Sequence, residues 1–165
     1  MQNLVDIEHA MVMFIKRFPQ YENENMTPSK FTDGWAFATM LQSAEQFKLS
    51  YSDLDQSTQK WTFKLANLKK IINKIEEYFE DTVRKGIKTK DIDLIEIAKN
   101  NNIEETIKLF ELVIATLTEA PNKENHISII MGLDERSQAA FMEIIQNILE
   151  HRIQEKMESK EDNII

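Results

Sequence analysis

The amino-acid sequence predicts an all-α protein. Only three glycines and three prolines are spread over 165 residues, whereas strand-rich folds need turn residues about every 8–12 positions. Apolar residues also recur at helical spacing over long stretches. The apolar fraction of 42% and the charged fraction of 29% are typical of a globular protein, and the length suits one domain.

Stop and capping residues divide the N-terminal half into elements. Pro19 ends the first apolar run, and Asp33 is predicted to be the N-cap of a second helix. Gly34 is expected at a close helix approach or an entry turn, and Trp61 and Leu68 are expected in the core. The predicted elements are a helix at 4–18, a loop at 19–31, a helix at 33–47, a helical turn at 51–55 and a long amphipathic helix at 60–79.

The C-terminal half is divided in the same way. Asp91 is predicted to cap a short helix, Gly132 to end another and Asp134 to cap the last one. The predicted helices cover 91–99, 103–118, 123–131 and 134 to about 158. The helix at 103–118 is apolar around much of its circumference, so we expect it to be buried on more than one side.

Composition and charge exclude several classes of function. A net charge of −8 and a pI near 5.0 oppose binding to a phosphate backbone, so no nucleic-acid partner is expected. The sequence has no cysteine, which excludes thiolate chemistry and suits the cytoplasm. Asp6 and Glu8 interrupt the N-terminal apolar stretch, and no run reaches the roughly 20 residues of a membrane span. We expect a cytoplasmic protein without membrane insertion.

The sequence lacks the constellations of an active site. His9, His126 and His151 lie far apart in the sequence and are predicted to be surface residues rather than metal ligands. Asp91 and Asp93 resemble the start of a calcium loop, but the glycine and the terminal glutamate of that loop are missing. Capping of the helix at 91–99 explains both aspartates better. No Gly-rich phosphate loop is present. We therefore predict no catalytic residue, no cofactor and no metal.

Basic residues are concentrated between Lys60 and Lys90. This region has nine basic and four acidic residues, a local charge of +5 that leaves −13 on the rest of the chain. Such a region either binds an acidic partner, for example a tubulin surface, or forms a solvated helix face.

Two apolar stripes adjoin on the predicted last helix. One stripe consists of Phe141, Ile144 and Ile148, and the other of Gln138, Met142, Ile145 and Leu149. Together they span roughly 160°, whereas a helix lying on a core needs an apolar arc of only about 100°. Periodicity leaves two interpretations open: a second surface for another helix, or a wider contact with the core.

A resemblance to a known family favours the first interpretation. The run from Trp61 to Ile71, WTFKLANLKKI, resembles the tryptophan-led SNLKK helix of the Hook family's N-terminal domain. The similarity continues at 14–18, at 33–34 and, downstream, at 109–117, 130–131 and 137–149. The resemblance implies a calponin-homology-like core over about 1–120 and extra helices over about 122–158. The charged tail at 159–165 is predicted to be disordered. Phe14 stands where the family often has tryptophan, and the loop after Pro19 differs.

The resemblance also implies a function. Hook proteins are adaptors that join cytoplasmic dynein to cargo, and their domain holds an amphipathic helix of the dynein light intermediate chain against the extra helix. In the family this contact relies on a glutamine and an isoleucine seven residues apart, which match Gln138 and Ile145. The partner-binding residues that we expect are Gln138, Phe141, Met142, Ile145 and Leu149.

Two further expectations follow from the family. Its adaptors continue into a long coiled coil, so we interpret the chain as part of a longer protein that is a homodimer, and we expect the isolated domain to be a monomer. The alternative function is direct binding of microtubules or actin through the Lys60–Lys90 region, as in some calponin-homology-like domains.

Overall fold

The computed structural model describes residues 3–57 and 59–155. These residues form seven α-helices and one two-stranded antiparallel sheet, as the all-α prediction requires. The helices are α1 (Leu4–Ile15), α2 (Trp35–Gln42), α3 (Trp61–Tyr78), α4 (Leu94–Asn100), α5 (Ile103–Glu119), α6 (Lys123–Met131) and α7 (Glu135–Asn147). Strand β1 (Gly86–Ile87) pairs with strand β2 (Ile153–Gln154), with Gly86 opposite Gln154.

Helix α5 lies at the centre of the fold and contacts α1, α2, α4, α6 and α7. Its apolar residues are buried around most of the circumference, which confirms the prediction. Phe110 of α5 packs against Phe14 of α1 and Phe141 of α7, at ring-centroid distances of 6.4 and 5.9 Å. The rings of Phe14 and Phe141 are 5.4 Å apart. This aromatic cluster fixes which side of α7 faces the core.

The entry to α2 depends on Gly34. Its φ of +87° favours glycine, and an added Cβ atom would lie 2.8 Å from Cδ1 of Ile71 on α3. The prediction of an entry turn and a close approach is confirmed. Asp33 precedes the N-cap instead of forming it, although its Oδ1 accepts a hydrogen bond from the Trp35 amide at 3.0 Å.

Two helices in this half are shorter than predicted. Helix α1 ends at Ile15 instead of residue 18, and α2 ends at Gln42 instead of residue 47. After α2 the chain turns at Gln46, whose φ is +71°, while the Glu45 amide donates to Asn122 Oδ1 at 2.9 Å. Contacts with the α5–α6 connection therefore replace the last turn that the apolar pattern predicts.

Helix α3 confirms one core residue and corrects another. Leu68 is fully buried, but the prediction that Trp61 is buried is wrong, because 37% of Trp61 is exposed. Trp61 lies in the first turn, two turns before Leu68, with the Lys99 ammonium 5.5 Å from the ring centroid. The apolar stripe of α3 thus extends past the part of the helix that the core covers.

Asn67 of α3 ties two loops together. Its Nδ2 donates to the carbonyl oxygens of Asp33 and Asp55, both at 3.0 Å. Its Oδ1 accepts a hydrogen bond from the Asp55 amide at 2.7 Å. The buried amide is therefore satisfied at both ends.

The last helix ends earlier than predicted. After Asn147 the chain forms a π-helical turn (Ile148–Arg152) and then enters β2, instead of continuing to residue 158. Arg152 is only 4% exposed, and its Nε donates to Glu111 Oε1 of α5 at 2.6 Å. Its guanidinium also pairs with Asp91 at 3.1 Å. This buried ion pair draws the chain back onto the domain. The predicted tail lies outside the described residues.

The same pair changes the role of Asp91. Burial alone would raise the pKa of Asp91, but the hydrogen bonds and charge of Arg152 outweigh burial and lower it. Capping of α4 was predicted for Asp91 and Asp93, and Asp91 does not cap it. Asp93 is the N-cap, and its carboxylate accepts from the Glu96 amide at 3.2 Å.

Candidate protein-binding surface on α6 and α7

The start of α7 is firmly capped. Asp134 is the N-cap, as predicted, and accepts hydrogen bonds from the Ser137 hydroxyl at 2.6 Å and the Ser137 amide at 3.1 Å. His9 of α1 lies 3.0 Å from the same carboxylate. These groups lower the pKa of Asp134 to about 2, and the hydrogen bond from the Ser137 hydroxyl has the largest effect. The cap and α1 together fix the orientation of α7 around its own axis.

The two predicted stripes of α7 lie in different surroundings. Phe141, Ile144 and Ile148 are buried in the core, whereas Met142 and Leu149 are 68% and 63% exposed. Ile145 is half-buried beside the core, and Leu149 belongs to the π-helical turn. Met142 and Leu149 of the second stripe therefore lie at the surface, whereas Gln138 and Ile145 are half-buried.

Helix α6 adds two apolar residues that the sequence did not indicate. Met131 is 64% exposed and Ile127 is 41% exposed, four residues apart on one side of α6. A helix of nine residues has too few positions for its periodicity to identify a second face. We call Ile127, Met131, Gln138, Met142, Ile145 and Leu149 the α6–α7 surface.

Gln138 connects the two helices. Its Nε2 donates to the carbonyl oxygens of Met131 and Leu133, both at 2.8 Å, and so satisfies acceptors at the C-terminal end of α6. Its side-chain oxygen accepts no hydrogen bond from the described residues. Gln138 thus has a structural role in joining α6 to α7.

Phe141 is not part of this surface. It is fully buried, with its ring in the aromatic cluster formed with Phe14 and Phe110. Contrary to its predicted role as a contact residue, it packs inside the domain. Its position one residue before Met142 places it about 100° away around the helix axis, which is enough to move it from surface to core.

The histidines differ from the prediction in one case. His151 is exposed and His9 is half-exposed, but His126 is only 2% exposed. His126 Nε2 lies 2.9 Å from the Ser43 hydroxyl, and no described residue bonds to its Nδ1. Burial lowers the pKa of His126. Within residues 3–57 and 59–155, no cluster of ligating side chains could hold a metal ion, and no helix is long and apolar enough to cross a membrane.

The basic region does not form one continuous unpaired patch. Lys74, Lys85 and Lys90 pair with Glu77, Glu119 and Glu76 at 3.6, 3.1 and 3.5 Å. Lys69 and Lys70 remain exposed on α3. Direct filament binding through this region stays a prediction, and co-sedimentation with microtubules or actin at low and physiological salt would test it.

A family model of the HOOK domain matches residues 9–147, and the chain therefore belongs to the HOOK domain family. The exposed Trp61 does not oppose this assignment, because the match covers most of the chain. The solution structure of the conserved domain of mouse HOOK1 matches with a TM-score of 0.75 and 21% identity, covering 89% of this chain and 92% of that one. The shared fold is calponin-homology-like.

Relatives with similar sequences carry the same family name. Protein Hook homolog 2 of Xenopus laevis is 35% identical over 94 residues, which are 56% of this chain and 13% of that protein. A protein hook homolog of Dictyostelium discoideum is 26% identical over 146 residues, which are 86% of this chain and 19% of that protein. The chain thus spans less than a fifth of the length of these relatives.

Proposed function

We propose that this domain is a non-catalytic docking module of a cytoskeletal adaptor and that its α6–α7 surface binds an amphipathic helix of the cytoplasmic dynein light intermediate chain. The observation that carries the proposal is the exposure of Met142 and Leu149 beside the half-buried Ile145. Large apolar side chains grouped on two adjacent helices are typical of a protein-binding site.

Binding follows the helix-in-groove mode. The partner helix lays apolar side chains across Met142, Ile145 and Leu149, which removes these side chains from water. The flexible thioether of Met142 adapts to the shape of the partner. Gln138 keeps its hydrogen bonds to α6 and offers its oxygen to a donor at the edge of the contact.

Titration calorimetry with a light-intermediate-chain helix peptide tests the proposal. Met142→Ala, Ile145→Ala and Leu149→Ala should each weaken binding by about 1–3 kcal/mol, as interface anchors commonly do. Ile95→Ala is the matched control, because Ile95 is 50% exposed on α4, which packs against α3 and α5. The Ile95→Ala variant should bind the peptide with the same affinity as the parent protein.

A thermal melt of each variant separates binding from folding. Met142→Ala and Leu149→Ala should melt within a few degrees of the parent, because these side chains are mostly in solvent. Parent-like affinity in all three surface variants would disprove the proposal. Gln138→Ala is a poorer probe, since it also removes two hydrogen bonds from the end of α6.

A further inference from the structure

A row of acidic side chains lies beside the apolar stripe of α7. Glu135 and Glu143 of α7 and Glu150 of the π-helical turn that follows are all exposed. Their spacings of eight and seven residues, about two turns each, bring them to one side of the helix. Relative to Met142, Glu135 and Glu143 lie roughly 20° and 100° around the axis in one direction, and Glu150 lies on the same side. Ile145 and Leu149 lie in the other direction, so the acidic row borders only one edge of the apolar stripe.

The charge of this row is largely uncompensated. Glu135 and Glu143 form no ion pair or side-chain hydrogen bond with the described residues. Glu150 accepts a hydrogen bond from the neutral Gln146 amide at 3.0 Å and lies 3.7 Å from a nitrogen of His151. The row therefore presents negative potential to whatever covers the apolar stripe.

A basic residue on the same helix does not neutralise the row. Arg136 of α7 is already engaged by Asp6 of α1, with 2.6 Å between Nε and the carboxylate oxygen. Its guanidinium is therefore directed toward α1, while the three glutamates remain beside the apolar stripe.

We propose that the acidic row selects the partner by charge: the α6–α7 surface accepts an amphipathic helix with lysine or arginine beside its apolar stripe and rejects one with acidic residues there. This inference rests on the proposed function and specifies the chemistry of its partner. Opposite charges at the rim favour encounter and fix orientation, while like charges at the rim penalise the wrong partner.

Two designed helical peptides test the charge selection. Both carry the same leucine and phenylalanine stripe, one flanked on both sides by lysine and the other by glutamate, so the result does not depend on the direction in which the peptide binds. At low salt the parent domain should bind the lysine peptide about tenfold more tightly, and added salt should reduce the difference.

Variants of the domain show whether the three glutamates cause the preference for the lysine peptide. In the triple variant Glu135→Gln, Glu143→Gln, Glu150→Gln the preference should fall to about twofold or less. The control Glu22→Gln, Glu24→Gln, Glu104→Gln changes the net charge equally at exposed positions outside α6 and α7, and it should keep the full preference. Thermal melts establish that both triple variants are folded.

Three results would overturn the inference: a preference that survives in the α7 triple variant, a preference lost equally in the control, or no binding of the lysine peptide to the parent domain. The proposed function is judged separately by the Met142, Ile145 and Leu149 variants with the light-intermediate-chain peptide. If those variants lose binding while the charge preference is absent, the docking surface stands and only the charge selection fails.

Discussion

The inner and outer faces of α7 carry similar side chains in opposite surroundings. Phe141 and Ile144 of the inner face are almost fully buried, while Met142 is 68% exposed one position along the chain from Phe141. Residue type alone does not distinguish the faces, since both are apolar. What separates them is rotation about the helix axis, and the N-cap and the aromatic cluster fix that rotation. The same apolar character therefore stabilises the fold on one face and is available for a partner on the other.

The largest difference between the faces should appear in the free energy of unfolding. Phe141→Ala removes a ring from the centre of the aromatic cluster and should cost about 3–5 kcal/mol. Met142→Ala should change the unfolding free energy by no more than about 0.5 kcal/mol. Urea denaturation of both variants measures these values. Comparable losses in the two variants would show that the outer face also supports the core.

The comparison extends to two arginines at the ends of the same segment. Arg152→Ala should cost about 3–5 kcal/mol, because it leaves the Glu111 carboxylate buried without its partner. Arg136→Ala should cost at most about 1 kcal/mol, because Arg136 and Asp6 form an exposed pair. The same denaturation experiment applies. The double variant Arg152→Met with Glu111→Leu should be more stable than Arg152→Ala, and a further loss would contradict the desolvation argument.

The smallest expected effect concerns the cap that sets the rotation of α7. The pKa of Asp134, about 2, is below its ordinary value of 3.8. The folded state therefore binds the proton less readily than the unfolded state, so this stabilisation is complete above about pH 4 and is lost as the pH falls through 2. Asp134→Asn keeps a capping oxygen but cannot titrate.

Unfolding measured from pH 2 to 6 checks the cap. The Asn variant should be slightly less stable near pH 6 and should lose less stability than the parent between pH 4 and pH 2. Parallel losses in the two proteins would mean that the Asp134 carboxylate does not contribute to the acid sensitivity of the fold.

The sequence predicted correctly those features that depend on residues close together in the chain, such as helix periodicity and capping. The 3.6-residue period identified both stripes of α7, and α6 begins and ends where the sequence predicts, with Gly132 as its C-cap. Capping by Asp134 was also predictable, since its carboxylate accepts hydrogen bonds from the amide and hydroxyl of Ser137, three residues away. The candidate surface could be outlined from the sequence, but periodicity alone could not decide whether the second stripe faced the core or the solvent.

The errors arose where distant residues decide the outcome. The end of α7 depends on Arg152 meeting Glu111, 41 positions earlier, and no pattern within the helix indicates that contact. His126 is buried, and the hydroxyl that lies 2.9 Å from its Nε2 belongs to Ser43, 83 positions away. Trp61 follows the apolar period of α3, yet the core does not extend to the first turn of that helix. For α7 and for Trp61 the local apolar period was correct, and the tertiary arrangement decided how far the core covers it.

The amide of Asn67 also has a consequence for local motion. One side chain holds the backbone before α2 at Asp33 and the backbone before α3 at Asp55. If either segment opens, the amide loses part of its hydrogen bonding in a buried site, which weakens its hold on the other segment. We therefore expect the two loops to open together with α3 as one cooperative unit. The Asp55 amide proton, although it lies outside regular secondary structure, should then be protected from solvent exchange to about the same degree as the amides of that helix.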